Sequence, residues 1–104
     1  MLKIRYKEVS MMPEELLIAS WFKSFESTPV YPRAVLEHAI EHNKPLLTGI
    51  LETTGIDPTH PHPDALSAWL CKNENRFVSL NDGTYRFSRF GHRWRLLRSE
   101  RVAA

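Results

Sequence analysis

Residues 76–88 read RFVSLNDGTYRFS, two short runs of mainly β-branched and aromatic residues on either side of Asn81-Asp82-Gly83. Runs of this composition around an Asp-Gly dipeptide are typical of a β-hairpin with a two-residue turn. Taking Asp82 and Gly83 as the turn predicts the register of the two strands. The expected cross-strand pairs are Leu80 with Tyr85, Ser79 with Arg86 and Val78 with Phe87.

The same register predicts which side chains of the hairpin face the core. Apolar and polar residues alternate along both runs, and successive side chains of a strand point to opposite faces of a sheet. A slip of one residue would mix the two sets, so the turn and the pattern favour the same faces. The core face is expected to carry Val78, Leu80, Tyr85 and Phe87, and the other face Ser79, Arg86 and Ser88.

Alternation of the same kind occurs at both ends of the chain. Beyond Gly91, apolar and basic residues alternate over residues 92–98, which predicts a third strand; a short terminal helix is the alternative. Residues 2–9 also alternate and predict an N-terminal strand. If these two strands pair, both chain ends join one sheet.

Four segments before the hairpin have the spacing and the end signals of helices. Pro13, followed by two acidic residues, suits a first helical turn. The expected helices cover residues 13–25, 33–43, 48–54 with Thr48 as N-cap and Gly55 as C-cap, and 64–73.

Three helices followed by a tight two-stranded ribbon is the layout of a winged helix. The 104 residues are therefore expected to form a single α+β domain with one hydrophobic core. Residues 33–88 would form a winged-helix core of three helices plus a β-hairpin wing. Residues 1–32 would add an N-terminal strand and helix, and residues 89–104 a basic C-terminal strand.

Two segments of this core resemble a known family. ALSAWL at residues 65–70 and NRFVSLNDGTYRF at residues 75–87 are similar to the third helix and the wing of the HARE-HTH family, and the resemblance covers residues 33–88. That family occurs in the delta subunit of bacterial RNA polymerase, in chromatin proteins and beside restriction-type domains. The resemblance implies a module that binds DNA or the transcription machinery without catalysis.

The formal net charge of +2 conceals an uneven distribution of charge. Residues 1–71 contain 6 basic and 9 acidic side chains, whereas residues 72–104 contain 8 basic side chains, 7 of them Arg, and 3 acidic ones. Arginine makes planar contacts with phosphates, so the basic segment indicates an anionic partner. We expect DNA binding dominated by the phosphate backbone, through Ser67, Lys72, Arg86, Arg89, Arg93 and Arg95.

Other interpretations of these features stay open. The arginines would also suit a solvated sheet face or a surface for an acidic protein. A second class of function comes from the first helix, because Trp21, Phe22 and Phe25 supply more apolar surface than one helix on a small domain must bury. They predict docking on another protein or homodimerisation, unless the helix is packed between the terminal strands and the three-helix core.

Catalysis and cofactor binding have no support in the pattern. His38, His42, His60, His62 and Cys71 match no established zinc spacing, so no metal site is expected. The four glycines are isolated and form no phosphate-binding loop. Since neither a signal peptide nor a long apolar run is present, we expect a cytoplasmic, non-enzymatic protein without a membrane segment or a small-molecule substrate.

Overall fold

Helices occupy the first part of the fold and strands the last part. The computed structural model of the protein describes residues 12–99, and within that range the chain forms four helices and one three-stranded antiparallel sheet of order β1-β2-β3. The predicted strand over residues 2–9 lies outside the described residues. The elements are α1 Pro13–Phe25, α2 Pro32–His42, α3 Lys44–Thr54, α4 Pro63–Lys72, β1 Val78–Leu80, β2 Gly83–Phe90 and β3 Arg93–Ser99.

Proline stands at the start of all four of these helices. The ring fixes φ near its helical value, and its missing N–H would have no partner in the first turn. The predicted bounds of α1 are confirmed, while α2 and α4 each begin and end one residue before the prediction because the proline itself is the first helical residue. The prolines are Pro13, Pro32, Pro45 and Pro63.

The start of α3 differs from the prediction, and Asn43 is the reason. Asn43 has extended angles (φ −144°, ψ 90°), and its Oδ1 accepts a hydrogen bond from the backbone N–H of Leu46 at 3.1 Å. Its Nδ2 donates to Ser24 Oγ at 2.7 Å, which connects the cap to α1. The predicted N-cap, Thr48, lies inside α3 and is exposed. The C-cap at Gly55, with a left-handed φ of 77°, is confirmed.

Helices α1 and α3 cross at Gly49, where their backbones are very close. A Cβ at Gly49 would lie 2.7 Å from the backbone N of Leu17 and 2.8 Å from its Cα. Leu17 itself is fully buried, as are Leu46 and Ile50 on α3. α1 therefore belongs to the same hydrophobic core as α2–α4, in which the buried side chains of all four helices and of the sheet form one cluster.

The sheet packs one face, which we call the inner face, against the helices. Phe87 contacts Trp21 of α1 and Trp69 of α4, with ring centroids 4.7 and 5.7 Å apart. Trp94 of β3 is also buried and exchanges two backbone hydrogen bonds of 2.8 Å with Val30, in the link between α1 and α2. The third strand is thus confirmed over the terminal-helix alternative.

The alternation of the hairpin is confirmed, but its predicted register is wrong by two residues. Val78 pairs with Tyr85 and Leu80 pairs with Gly83, so residues 81–82 form the turn. A type I′ turn at Asp-Gly needs positive φ at both central residues, but Asp82 is not among the positive-φ residues of the described chain, and Gly83 is already a paired strand residue. Because the error is an even number, every side chain keeps its predicted face.

The first prediction concerns the helix crossing. We expect Gly49→Ala to lower the free energy of unfolding by about 1–3 kcal/mol, because the added methyl group meets backbone atoms that cannot move without separating α1 from α3. Urea unfolding followed by circular dichroism measures this change. Thr48→Ala, at the exposed neighbouring position, is the control and should change stability by less than about 0.5 kcal/mol. Equal stability of Gly49→Ala and the wild type would contradict the crossing.

Candidate nucleic-acid interface

Three of the predicted arginines lie together on the face of the sheet that points away from the helices, which we call the outer face. Since Phe87 and Trp94 point inward, alternation places Arg86 of β2 and Arg93 and Arg95 of β3 on the outer face. No aspartate or glutamate occurs in any of the three strands. The strand residues of the outer face therefore carry positive charge only.

Exposed aromatic rings lie between these arginines. The Arg86 guanidinium carbon is 5.9 Å from the ring centroid of Phe77. Arg95 is 5.1 Å from the ring centroid of Phe90, and Arg93 is 5.7 Å from those of Phe90 and Tyr31. The exposed fractions are 67% for Phe77, 53% for Tyr31 and 45% for Phe90. We call this set the arginine–aromatic surface: Tyr31, Phe77, Arg86, Phe90, Arg93 and Arg95.

The guanidinium groups of this surface differ from the other arginines in their partners. Arg86 donates to Asn75 Oδ1 at 2.9 Å, an uncharged acceptor. Within residues 12–99, no carboxylate forms an ion pair with Arg86, Arg93 or Arg95, whereas Arg76 pairs with Glu14, Arg89 with Glu74 and Arg98 with Asp82. Among the described residues, the outer-face arginines thus have no acidic partner, whereas Arg76, Arg89 and Arg98 each have one.

Arg89 belongs to the helix side of the sheet and not to the outer face. Its guanidinium carbon lies 4.8 Å from the ring centroid of Trp94, which is buried on the inner face. It donates to Cys71 Sγ of α4 at 3.3 Å and lies 3.6 Å from Glu74, and the hydrogen bond to Cys71 is the main cause that raises the pKa of Arg89. This arginine is engaged within the protein.

The two predicted residues of α4 are separated from the arginine–aromatic surface by the sheet. Ser67 is half-buried, one turn before Cys71 on the helix. Lys72 is exposed and lines a shallow groove between α3 and α4 with Thr53 and Trp69. Because Trp69 packs on the inner face, α4 lies on the side of the sheet opposite to the outer face.

The aromatic side chains predicted to bind a partner are used in the core. Trp21 is 0% exposed, so its ring presents no surface to another molecule. Phe22 is half-buried against Tyr85, with ring centroids 5.4 Å apart, and Phe25 is half-buried against Trp21 and His38. The structure therefore corresponds to the packed-helix alternative at Trp21, because the sheet and the helices already cover its indole.

His38, His60 and His62 lie apart from this surface. His60 and His62 border a shallow cleft at the start of α4, and His38 packs its ring 5.1 Å from Phe25. In the part of the chain that the structure describes, no three histidine, cysteine or acidic side chains converge as metal ligands. Beside His60, the backbone N–H and hydroxyl of Thr59 donate to Asp57, which lowers the pKa of that carboxyl group.

A buried phenol holds the turn of the hairpin that carries Arg86. The Tyr85 hydroxyl donates to both carboxylate oxygens of Asp82, at 2.8 and 2.9 Å. Burial raises the pKa of Tyr85, the hydrogen bond to Asp82 raises it further, and the nearby Arg98 opposes the shift. The buried Tyr85 side chain thereby connects the turn to the core, and Arg98 also contacts Asp82.

Comparison with known proteins adds no relative. No protein-family model, curated protein or solved structure matches this chain, so the resemblance to the HARE-HTH family stays a prediction. Among the helices of residues 12–99, none combines the length and the apolar character needed to cross a membrane.

The second prediction uses the Tyr85 phenol. Its pKa is raised above the ordinary 10.0 in the folded protein, so the unfolded chain loses this proton first as the pH rises. The stabilisation by Tyr85 is therefore complete below pH 10.0 and declines above it. We expect the stability advantage of the wild type over Tyr85→Phe to shrink above that pH, as measured by urea unfolding at a series of pH values. Parallel pH profiles for the two proteins would contradict this assignment.

Proposed function

We propose that this protein is a non-enzymatic nucleic-acid-binding module that holds phosphates on the outer face of its sheet. The observation that carries the proposal is that Arg86, Arg93 and Arg95 form no ion pair with any carboxylate of residues 12–99 and lie on strands that contain no acidic residue. Three other arginines of the described chain, Arg76, Arg89 and Arg98, form ion pairs with carboxylates. Guanidinium groups that form no ion pair with a carboxylate of the described chain are suited to an anionic ligand.

Binding of this kind depends on the backbone of the ligand and reads little sequence. Guanidinium contacts to phosphates set affinity and position, whereas base identity is read by side chains that reach the base edges. The exposed side of α4 offers Cys71 and Lys72, and it lacks the Arg, Asn and Gln residues that commonly read bases. The module should therefore bind many sequences with similar affinity.

The architecture that we propose for this module is a winged helix. Helices α2, α3 and α4 followed by the β1–β2 hairpin have the element order of that class, and β3 would extend the wing. The resemblance to the HARE-HTH family favours a role in transcription or its regulation. An adaptor that docks on another protein is less favoured, because Trp21, which suggested it, is buried.

The third prediction is a salt titration with duplex DNA of arbitrary sequence. We expect a dissociation constant on the order of micromolar at low salt and a steep loss of affinity as salt rises. Arg86→Ala and Arg93→Ala should each reduce the slope of log K against log salt by about 0.9, because each removes one phosphate contact. Fluorescence anisotropy of labelled DNA measures both quantities.

Lys23→Ala provides the matched control for charge. It removes the same charge from the exposed side of α1, which packs on the inner face of the sheet. Its salt slope should equal that of the wild type. Failure of the wild type to bind DNA at low salt, or equal binding of poly-glutamate and DNA with the same dependence on Arg93, would reject the proposal in favour of an acidic protein partner.

A further inference from the structure

We infer, on the basis of the proposed nucleic-acid function, that the arginine–aromatic surface binds single-stranded nucleic acid. In this arrangement, bases stack on the rings of Phe77, Phe90 and Tyr31, and phosphates contact the arginines between them. Aromatic rings beside a positively charged path are the combination by which proteins bind single strands without sequence preference. The inference extends the proposed function by naming the form of the ligand.

The exposure of the three rings is the first observation behind this inference. Each is about half exposed or more, from 45% for Phe90 to 67% for Phe77, although the inner face buries the other aromatic residues of the sheet. Exposed aromatic side chains that are grouped together and bordered by charged residues are typical of interaction surfaces. Small polar residues suit a face that contacts only water, and Ser79 and Thr84 on the same outer face are of this kind. The three exposed rings are not.

The positions of the guanidinium groups are the second observation. The Arg93 guanidinium carbon lies 5.7 Å from the ring centroids of both Phe90 and Tyr31, and that of Arg95 lies 5.1 Å from the centroid of Phe90. Flat guanidinium groups also stack on bases, so they extend the platform that the rings begin. Along this surface, the bases of one nucleic-acid strand would therefore stack on the rings, and its phosphates would contact the guanidinium groups between them.

The spacing of the rings suits a nucleic-acid strand that crosses the outer face of the sheet. Extending the β1–β2 register by one pair places Phe77 opposite Arg86, which is four residues from Phe90 along β2. At about 3.3 Å per residue, this separates the two ring positions by roughly 13 Å. The interval holds Ser88 and its cross-strand neighbour Arg95, so a charged group lies between the two stacking positions.

A duplex would not stack its bases on these rings. Its bases are stacked on one another, so a duplex presents phosphates and groove edges to a flat protein face and no base faces. The helix that would enter a groove, α4, packs behind the sheet through Trp69 and Phe87. One duplex therefore cannot contact α4 and the arginine–aromatic surface through the same groove, whereas a single strand needs the outer face alone.

The fourth prediction compares three DNA ligands of equal length by fluorescence anisotropy at one salt concentration. The ligands are a thymidine single strand, a duplex and an abasic strand, which has the same phosphates and no bases. We expect the thymidine strand to bind at least about 5-fold more tightly than the abasic strand, because stacking of even one base provides that factor. The duplex should also bind more weakly than the thymidine strand.

Substitutions of the rings test the location. Phe77→Ala and Phe90→Ala should each weaken binding of the thymidine strand by about 5- to 100-fold and leave binding of the abasic strand within about 2-fold of wild type. The abasic strand also reveals an indirect effect, because a shift of Arg95 after loss of Phe90 would weaken both strands alike. Ile40→Ala removes a comparably exposed apolar side chain on α2 and should change neither value. Circular dichroism and urea unfolding verify that the variants fold.

The outcomes separate this inference from the proposed function. Equal binding of the abasic and thymidine strands, or tighter binding of the duplex, would overturn stacking on this surface while phosphate binding remains supported. Loss of binding to all three ligands would overturn both proposals. A uridine RNA strand of the same length forms the last arm: stacking predicts that it, too, binds more tightly than the abasic strand, and equal binding of the uridine and abasic strands would contradict stacking.

Discussion

The packing of Trp21 against Phe87 is the contact on which the rest of the structure depends. The two ring centroids are 4.7 Å apart, and the contact joins α1 to the middle strand of the sheet. Since side chains alternate strictly along a strand, burying Phe87 on the inner face determines the face of every other residue in β2 and, through the register, in β3. Arg86, Arg93 and Arg95 are outside because Phe87 and its cross-strand neighbours are inside.

The features of the fold that depend on local sequence, such as this alternation, can be predicted from the sequence alone, and those that depend on tertiary contacts cannot. The bounds of α1 and the faces of the strands are local properties, and both are predicted correctly. The start of α3 is not local, because Asn43 caps it while also donating to Ser24 of α1. The hairpin register is wrong for a similar reason: Asp-Gly suggests a turn, but Gly83 is needed inside the strand. Its position lies so close to the backbone of β3 that a Cβ would be 2.7 Å from the carbonyl oxygen of Ser99.

The charges of the candidate site and one of its three rings can be placed from the sequence. Arg86, Arg93 and Arg95 follow from composition and alternation, and the same alternation puts Arg89 on the opposite face from Arg86, where it is directed to α4. Phe90 has the same parity as Arg86 on β2, so the alternation already placed it outward. The ring positions of Tyr31 and Phe77 depend on tertiary structure, since Tyr31 reaches the sheet only through the pairing of the preceding residue, Val30, with Trp94.

The small net charge of the chain conceals an uneven pairing of its charges. On the helix side, guanidinium groups contact carboxylates, as Arg98 does with Asp82 and Arg89 does with Glu74. On the outer face, Arg93 and Arg95 are two residues apart on one strand, roughly 7 Å, which is less than the Debye length of about 10 Å at 0.1 M salt. These two charges therefore repel each other in the free protein. A phosphate bound between them would reduce that repulsion and also accept hydrogen bonds from both guanidinium groups. The repulsion in the free protein therefore favours binding of an anionic ligand.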